Sequence, residues 1–354
     1  RNTGIWQDVR LKVGGDIIIG DPLVTTDILL PDTTQAKISI KNIVKNITSK
    51  TVNGTLTAKI ENINISLPFT LAANEEKEIT FTPEQFKELN IKNPRLWWPN
   101  GYGRPELYNL DLTVQSNNKV SDTKSLKFGI REMSYELMVN DNSQNKRVLY
   151  TPNETVNKGK PVFDYINRVA FTKDNNLPTI AKDADTSGLQ PLSNDDPVGP
   201  FFAIRVNGVR IFCRGGNWGM DDGMKRVSRE RLEPYIRLHK DANFNIIRNW
   251  TGETTEEDFY ALCDEYGMLV WNDFWITTDD TVEPSDFPLF VKNATDAVRR
   301  FRNHPSIAVW CPRNEGFAPK QLEESISAMM AKEDPTRHYH GQSRFFNIGT
   351  SGPW

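Results

Sequence analysis

A chain of 354 residues is too long for one ordinary core, and its 38% apolar and 25% charged residues are those of a globular protein of more than one domain. The formal net charge of −3, with no Lys/Arg block on any face, argues against a nucleic-acid partner, and no stretch is long and apolar enough to span a bilayer. The three cysteines, Cys213, Cys263 and Cys311, sit in apolar or helical contexts and read as small buried hydrophobes, with neither a disulfide framework nor a metal-binding spacing.

The chain opens on RNTGIWQDVRL, without Met, in what reads as the middle of folded sequence, so an excised piece of a larger protein is expected. From Trp6 to about Tyr135 the pattern is short and alternating. VRLKV, AKISIKNIV, LTAKI, KEITF, LYNLDLTV and SLKFGI predict strands separated by Asn, Pro, Gly and Asp turns, as in an antiparallel sandwich of immunoglobulin type. Residues 138–200 are polar and rich in Pro and Asn and predict an irregular insertion or linker.

From Phe201 the pattern changes to strand–helix alternation. FFAIRVNG and VRIFCRGG predict strands joined by an Asn-Gly turn. RERLEPYIRLHKDA then predicts a helix and FNIIRNW a strand. TEEDFYALCDEYG predicts a helix capped by Thr254 or Thr255 and ended by Gly267. MLVWNDF, SIAVWC and RHYHGQS predict further strands, with helices over FPLFVKNATDAVRRFRN and PKQLEESISAMMAKED between them. Such alternation means a parallel sheet. Polar residues close successive strands at Asn217, Arg248, Asn272/Asp273 and Asn314/Glu315, which favours a barrel with one functional rim over an open sheet. Eight strand–helix units need about 250 residues, more than remain after residue 200, so the barrel is expected to be incomplete.

Glu315 is the leading candidate for chemistry. A carboxyl beside an aromatic such as Trp310 at a packed rim suits proton donation to a leaving-group oxygen; alternatively it caps the next helix or pairs with Arg313. Asn314 can donate to a hydroxyl or brace the strand end, and Asp273 can hold substrate hydroxyls, cap, or pair with an arginine. Arg248 demands a carboxylate partner if buried. Asn217, Trp218, Asp221 and Asp222 combine an aromatic face with carboxylates, the composition of a carbohydrate site. Trp250, Trp271, Trp275 and Trp310 could add aromatic walls. His304 reads as a structural residue of a helix-to-strand turn.

These motifs resemble glycoside hydrolase family 2, nearest to its β-mannosidase and exo-β-D-glucosaminidase branch. GIWQDVRL is similar to the junction leaving an N-terminal jelly roll. LWWPNGYGRPELYNLDLTV and FGIRE are similar to the end of the immunoglobulin-like domain. FNIIRNW, DFYALCDEYGMLVWNDF, FRNHPSIAVW and Asn314–Glu315 follow the first half of the catalytic barrel in order, and SGPW resembles the segment before its later strands. The resemblance implies an immunoglobulin-like β-sandwich followed by an incomplete (β/α)8 TIM barrel. Residues 1–10 would be the tail of a missing jelly roll, 11–135 the sandwich, 136–200 the insertion and 201–354 the N-terminal part of the barrel.

It further implies a retaining, exo-acting β-glycosidase with Glu315 as acid/base, Asn314 at the substrate 2-position and Arg248 beside a nucleophile supplied by a later strand outside this chain. The Asn217–Trp218 stretch and Asp221 or Asp222 would bind the non-reducing-end sugar. The expected partner is an oligosaccharide or glycoside, with no cofactor, no metal, no nucleic acid and no membrane; a homo-oligomer stays open. A periplasmic or secreted location is favoured, and this chain alone is expected to be inactive. Two departures bear on specificity: CPRNEGF lacks the Gly-containing run usual before the Asn–Glu pair, and TGETTEEDF lacks the Gly-Gly-Gly/Tyr-Glu form common in β-mannosidases. The alternatives are β-galactosidase or β-glucuronidase specificity, or a catalytically silent carbohydrate-binding or structural module.

Overall fold

The computed structural model describes residues 5, 8–153, 158–171, 176–193, 202–219, 222–277 and 283–343. Strict alternation builds the first unit. In Gln35–Asn46 and Val52–Ile60 every second side chain is buried, so each strand turns one face inward. Gln35–Asn46 pairs antiparallel with Ile17–Ile19, Leu23–Ile28, Glu76–Phe81 and Asn90–Lys92 in a five-stranded sheet. The facing sheet runs in the order Ile63–Leu71, Val52–Ile60, Tyr108–Ser116, Lys119–Phe128. Ile38, Ile40, Val44, Leu56, Ala58, Leu110, Leu112 and Val114 fill the space between them. This is the expected immunoglobulin-type sandwich. VRLKV, however, is not a strand. Val9, Leu11 and Val13 are 80%, 91% and 85% exposed, because alternation without a neighbouring ladder or a core to face fixes nothing.

The described residues between 136 and 193 form strands where an irregular insertion is expected. A seven-stranded sheet spans 133–210, built on Met133–Asp141 and Gln144–Tyr150, with Phe163–Ala170, Asn176–Ile180, Leu189–Pro191, Phe202–Val206 and Val209–Arg210. Its charges hide it in the sequence, and they answer one another. The Glu136 carboxylate, fully buried, receives Arg147 at 3.3 Å, Arg205 at 2.7 Å and Arg210 at 2.6 Å, which ties four strands together. The Asn207–Gly208 turn has φ of 50° and 80° and joins Phe202–Val206 to Val209–Arg210 as expected.

Beyond this sheet lie five parallel strands in sequential order: β1 (Gly215–Trp218), β2 (Ile246–Asn249), β3 (Leu269–Asp273), β4 (Ile307–Cys311) and β5 (His338–Tyr339). Four helices alternate with them among the described residues: α1 (Arg229–Asp241), α2 (Glu257–Tyr266), α3 (Phe287–Phe301) and α4 (Lys320–Glu333). The first parallel strand is therefore GGNW, and VRIFCRGG is divided among the preceding hairpin, the loop 211–214 and the first two residues of that strand. That loop leaves Cys213 exposed, whereas Cys263 and Cys311 are buried. Among the described residues no helix is long and apolar enough to cross a membrane.

β3 and β4 are buried along their whole length because both faces of the sheet are covered there. Ile247, Val270, Ile307 and Trp310 meet Leu232, Ile236, Phe259, Val298 and Ile326 of the helices. Leu269, Trp271, Val309 and Cys311 face Tyr135, Leu137, Phe163 and Ile204 of the seven-stranded sheet. Gly267, at φ +68°, ends α2, and a Cβ there would lie 2.9 Å from Asn100 N and Trp98 O. The start of α2 differs from expectation: Glu256 is its N-cap, and the Thr254 hydroxyl instead accepts the Trp218 indole N–H at 3.1 Å.

His304 does hold the turn into β4. Its Nδ1 lies 2.6 Å from Asp264 Oδ2, while Asp264 Oδ1 accepts the Ser306 N–H at 3.0 Å. Burial opposes the imidazolium, but the Asp264 and Glu257 carboxylates outweigh it and push the His304 pKa up to about 9. A pKa raised above the unfolded value of about 6.5 gives stabilisation that is complete below that pH and lost as pH rises through 9, on the order of 3 kcal/mol at most. The melting temperature should therefore fall between pH 7 and 9.5, and His304→Gln should flatten that fall.

Candidate functional site

Three strand ends converge on one polar cluster. β2 delivers Arg248, β3 delivers Asp273, and the loop after β4 delivers Asn314; all three side chains are buried. The guanidinium meets Asp273 in a two-pronged ion pair, Nη2 to Oδ2 at 2.6 Å and Nε to Oδ1 at 3.2 Å. Asp273 is thus the carboxylate partner that burial of Arg248 requires. It also accepts the Thr251 N–H at 3.0 Å and the Trp271 indole N–H at 3.0 Å. Burial pushes its carboxyl above the ordinary value, and the Arg248 charge together with these hydrogen bonds opposes that rise.

Asn314 Oδ1 collects donors from three directions: Arg248 Nη2 at 2.7 Å, Trp250 Nε1 at 3.1 Å and Ser343 Oγ at 3.5 Å. The amide oxygen is thereby fixed toward the cluster, with the two N–H donors on the opposite side of the amide. Arg248, Asp273, Asn314 and Trp250 therefore belong to one network. Ser343 joins it, a residue whose only signal in the sequence was its place at the end of RHYHGQS.

Glu315 follows immediately and is partly buried. Its φ is +56°, and Gly316 continues at +67°, so the chain leaves the β4 loop through two left-handed residues. Its N–H donates to Ser343 Oγ at 2.9 Å, and its C=O accepts from Arg313 Nε at 2.9 Å. Trp310 is not the expected aromatic neighbour: it stacks on Phe274 at 5.8 Å on the helix side and donates to Asp334 at 2.8 Å. Nor does Glu315 pair with the Arg313 guanidinium through its carboxylate; that guanidinium meets Glu283 at 2.7 Å.

The expected sugar-facing group at β1 is divided. Asn217 is exposed and lies in register with Arg248. Trp218 points the other way, into the core formed with Tyr235 and Phe259, so its ring is not a sugar platform. Neighbours along a strand face opposite sides, and the sequence could not show which of the two faced the rim. Asp222 is likewise committed: Oδ2 receives Arg226 Nε at 2.6 Å, and its two oxygens accept the N–H groups of Met224 and Arg226. The Arg226 hydrogen bond leads in holding this carboxyl well below the usual range. Asp221 lies outside the described residues, as does the SGPW segment. Trp271 is buried against the seven-stranded sheet, and only Trp275 of the remaining tryptophans considered is substantially exposed. Glu323 has a pKa pushed up to about 8 by burial, and it ties α4 to β5 through the Tyr339 hydroxyl at 2.9 Å.

The family models described as "Glycosyl hydrolases family 2" and "Glycosyl hydrolases family 2, TIM barrel domain" match residues 18–131 and 203–348. A mannosylglycoprotein endo-beta-mannosidase of Lilium longiflorum is 28% identical over 92% of this chain and 30% of its own length. An exo-beta-D-glucosaminidase of Streptomyces avermitilis is 26% identical over 95% of the chain and 32% of its own length. The fold is shared with an exo-chitosanase of Amycolatopsis orientalis (TM-score 0.68, 19% identity, 93% of this chain and 32% of that one). It is shared also with a β-D-mannosidase of Dictyoglomus thermophilum (TM-score 0.68, 23% identity, 99% and 38%). The chain spans about a third of the length of the curated relatives it matches. The sandwich and the parallel strand–helix unit thus fall within the two matched regions, in the same order, and the chain belongs to glycosyl hydrolases family 2.

Proposed function

We propose that this chain carries the proton-donor side of a retaining, exo-acting β-glycosidase site, with a β-mannoside or β-glucosaminide as substrate. The observation that carries the reading is the buried Arg248–Asp273–Asn314 network at three strand ends, with Glu315 on the next peptide. In the first step Glu315 gives its proton to the glycosidic oxygen as that bond breaks, and a second carboxylate bonds to the anomeric carbon. In the second step the Glu315 carboxylate takes a proton from water, whose oxygen displaces the ester and restores the β configuration. The second carboxylate is assigned to no residue of this chain. Asn314 would donate from its amide to the hydroxyl or amine at the sugar 2-position, with its oxygen held by Arg248 and Trp250. Asn217 would meet the same sugar from β1. The names of the mannosidase and glucosaminidase relatives support these two substrate classes.

The test is the stereochemistry of the full-length protein on aryl β-mannoside, β-glucosaminide, β-galactoside and β-glucuronide, followed by NMR of the first product formed. One of the first two substrates should be cleaved fastest and release a β-configured monosaccharide. An α-configured first product, or no turnover of any member, sinks the reading.

A further inference from the structure

Glu315 occupies a backbone conformation that a side chain other than glycine adopts at a cost, about 1–3 kcal/mol, so surrounding contacts must hold it there. Two do. Ser343 Oγ accepts its N–H, and the Arg313 guanidinium reaches forward along the chain to its carbonyl. Arg313 is itself held through its Nε, its Nη1 and its carbonyl. Its side chain is 0% exposed, Nη1 bonds Glu283 at 2.7 Å, and its own carbonyl accepts from Cys311 Sγ at 3.2 Å and Ser343 N at 3.3 Å. Glu283 lies on the connection from β3 to α3, so one guanidinium joins two rim loops and the Glu315 peptide. Arginine suits this role because its planar fork addresses a carboxylate and a carbonyl at once.

We propose that Arg313, anchored by Glu283, is a positioning residue that aims the Glu315 carboxyl at the glycosidic oxygen. The inference rests on the reading of Glu315 as acid/base. It is tested in the full-length protein with Arg313→Met and Glu283→Gln, each assayed on glycosides of one sugar with a poor leaving group and with dinitrophenol, beside Glu315→Gln. A misaimed proton donor costs about 100-fold in kcat/KM on the poor leaving group. The dinitrophenyl glycoside, which needs no proton in the first step, should lose less than about threefold in kcat/KM, although both variants break a buried ion pair and should melt lower than wild type. Arg313→Lys should restore little, since an ammonium cannot reproduce the fork. Equal losses on both leaving groups, or none, while Glu315→Gln keeps its leaving-group dependence, overturn the inference and spare the acid/base reading. If Glu315→Gln shows no such dependence, both fall. Should Arg313→Met fail to fold, Glu283→Gln decides by the same comparison.

Discussion

Replacing Glu315 by Gln in the full-length protein is expected to cut kcat/KM on alkyl or methylumbelliferyl glycosides by about 10²–10⁴. The physical reason is local. The amide keeps the volume and the backbone bonds to Ser343 and Arg313, which involve only the Glu315 peptide, so the left-handed turn survives. What is lost is the proton. Bond breaking then expels an alkoxide, a penalty that shrinks as the leaving group becomes a weaker base, so dinitrophenyl glycosides should retain most of their rate in the first step. In Glu315→Ala, azide should intercept the glycosyl intermediate and give a β-glycosyl azide, because a small anion needs no general base. A uniform loss across leaving groups would instead assign Glu315 to structure.

The second large effect concerns stability. Asp273→Ala leaves the Arg248 guanidinium buried without its carboxylate and strands the Thr251 N–H and the Trp271 indole N–H. Breaking a buried pair from one side costs about 3–5 kcal/mol, so the denaturant midpoint should fall clearly. Replacing both partners, Arg248→Met with Asp273→Leu, removes the uncompensated charge and should recover much of that loss while activity stays absent. Such a divergence between stability and turnover marks a pair kept for its chemistry. If Asp273→Ala is as stable as wild type, Arg248 has another route to solvation and the network is not the anchor described above.

The parts of the fold written in local chemistry were legible. Alternation over AKISIKNIV and LTAKI, the Asn207–Gly208 turn and the glycine ending α2 each act through nearest neighbours, and the strand–helix alternation after residue 210 follows the same rule. Long-range charge pairing was not. Gln144–Tyr150 reads as polar because Arg147 is visible and Glu136, on the partner strand, is not recognisable as its match. In the site, burial of Arg248 called for a carboxylate, and Asp273 is that residue. The direction of Trp218 and the engagement of Asp222 by Arg226 depended on which face of β1 met the helices and on a four-residue turn. Ser343 and Glu283 reach the cluster only through folding of the whole unit.

Arg131 donates to the carbonyls of Pro305 and Ile307, Tyr135 to that of Ala308, and Trp97 to that of Asp264. These are main-chain acceptors on the segment that becomes β4 and on the end of α2 that braces it. A chimera that exchanges the sandwich and its exit segment up to Arg131 for a relative's must therefore import donors that match the reach of Trp97 and Arg131, and keep the register that lets Tyr135 reach its carbonyl. Without them the graft leaves carbonyls unanswered at the root of the strand whose far end bears Asn314 and Glu315, and the fault would surface as poor turnover in a protein whose rim sequence is untouched.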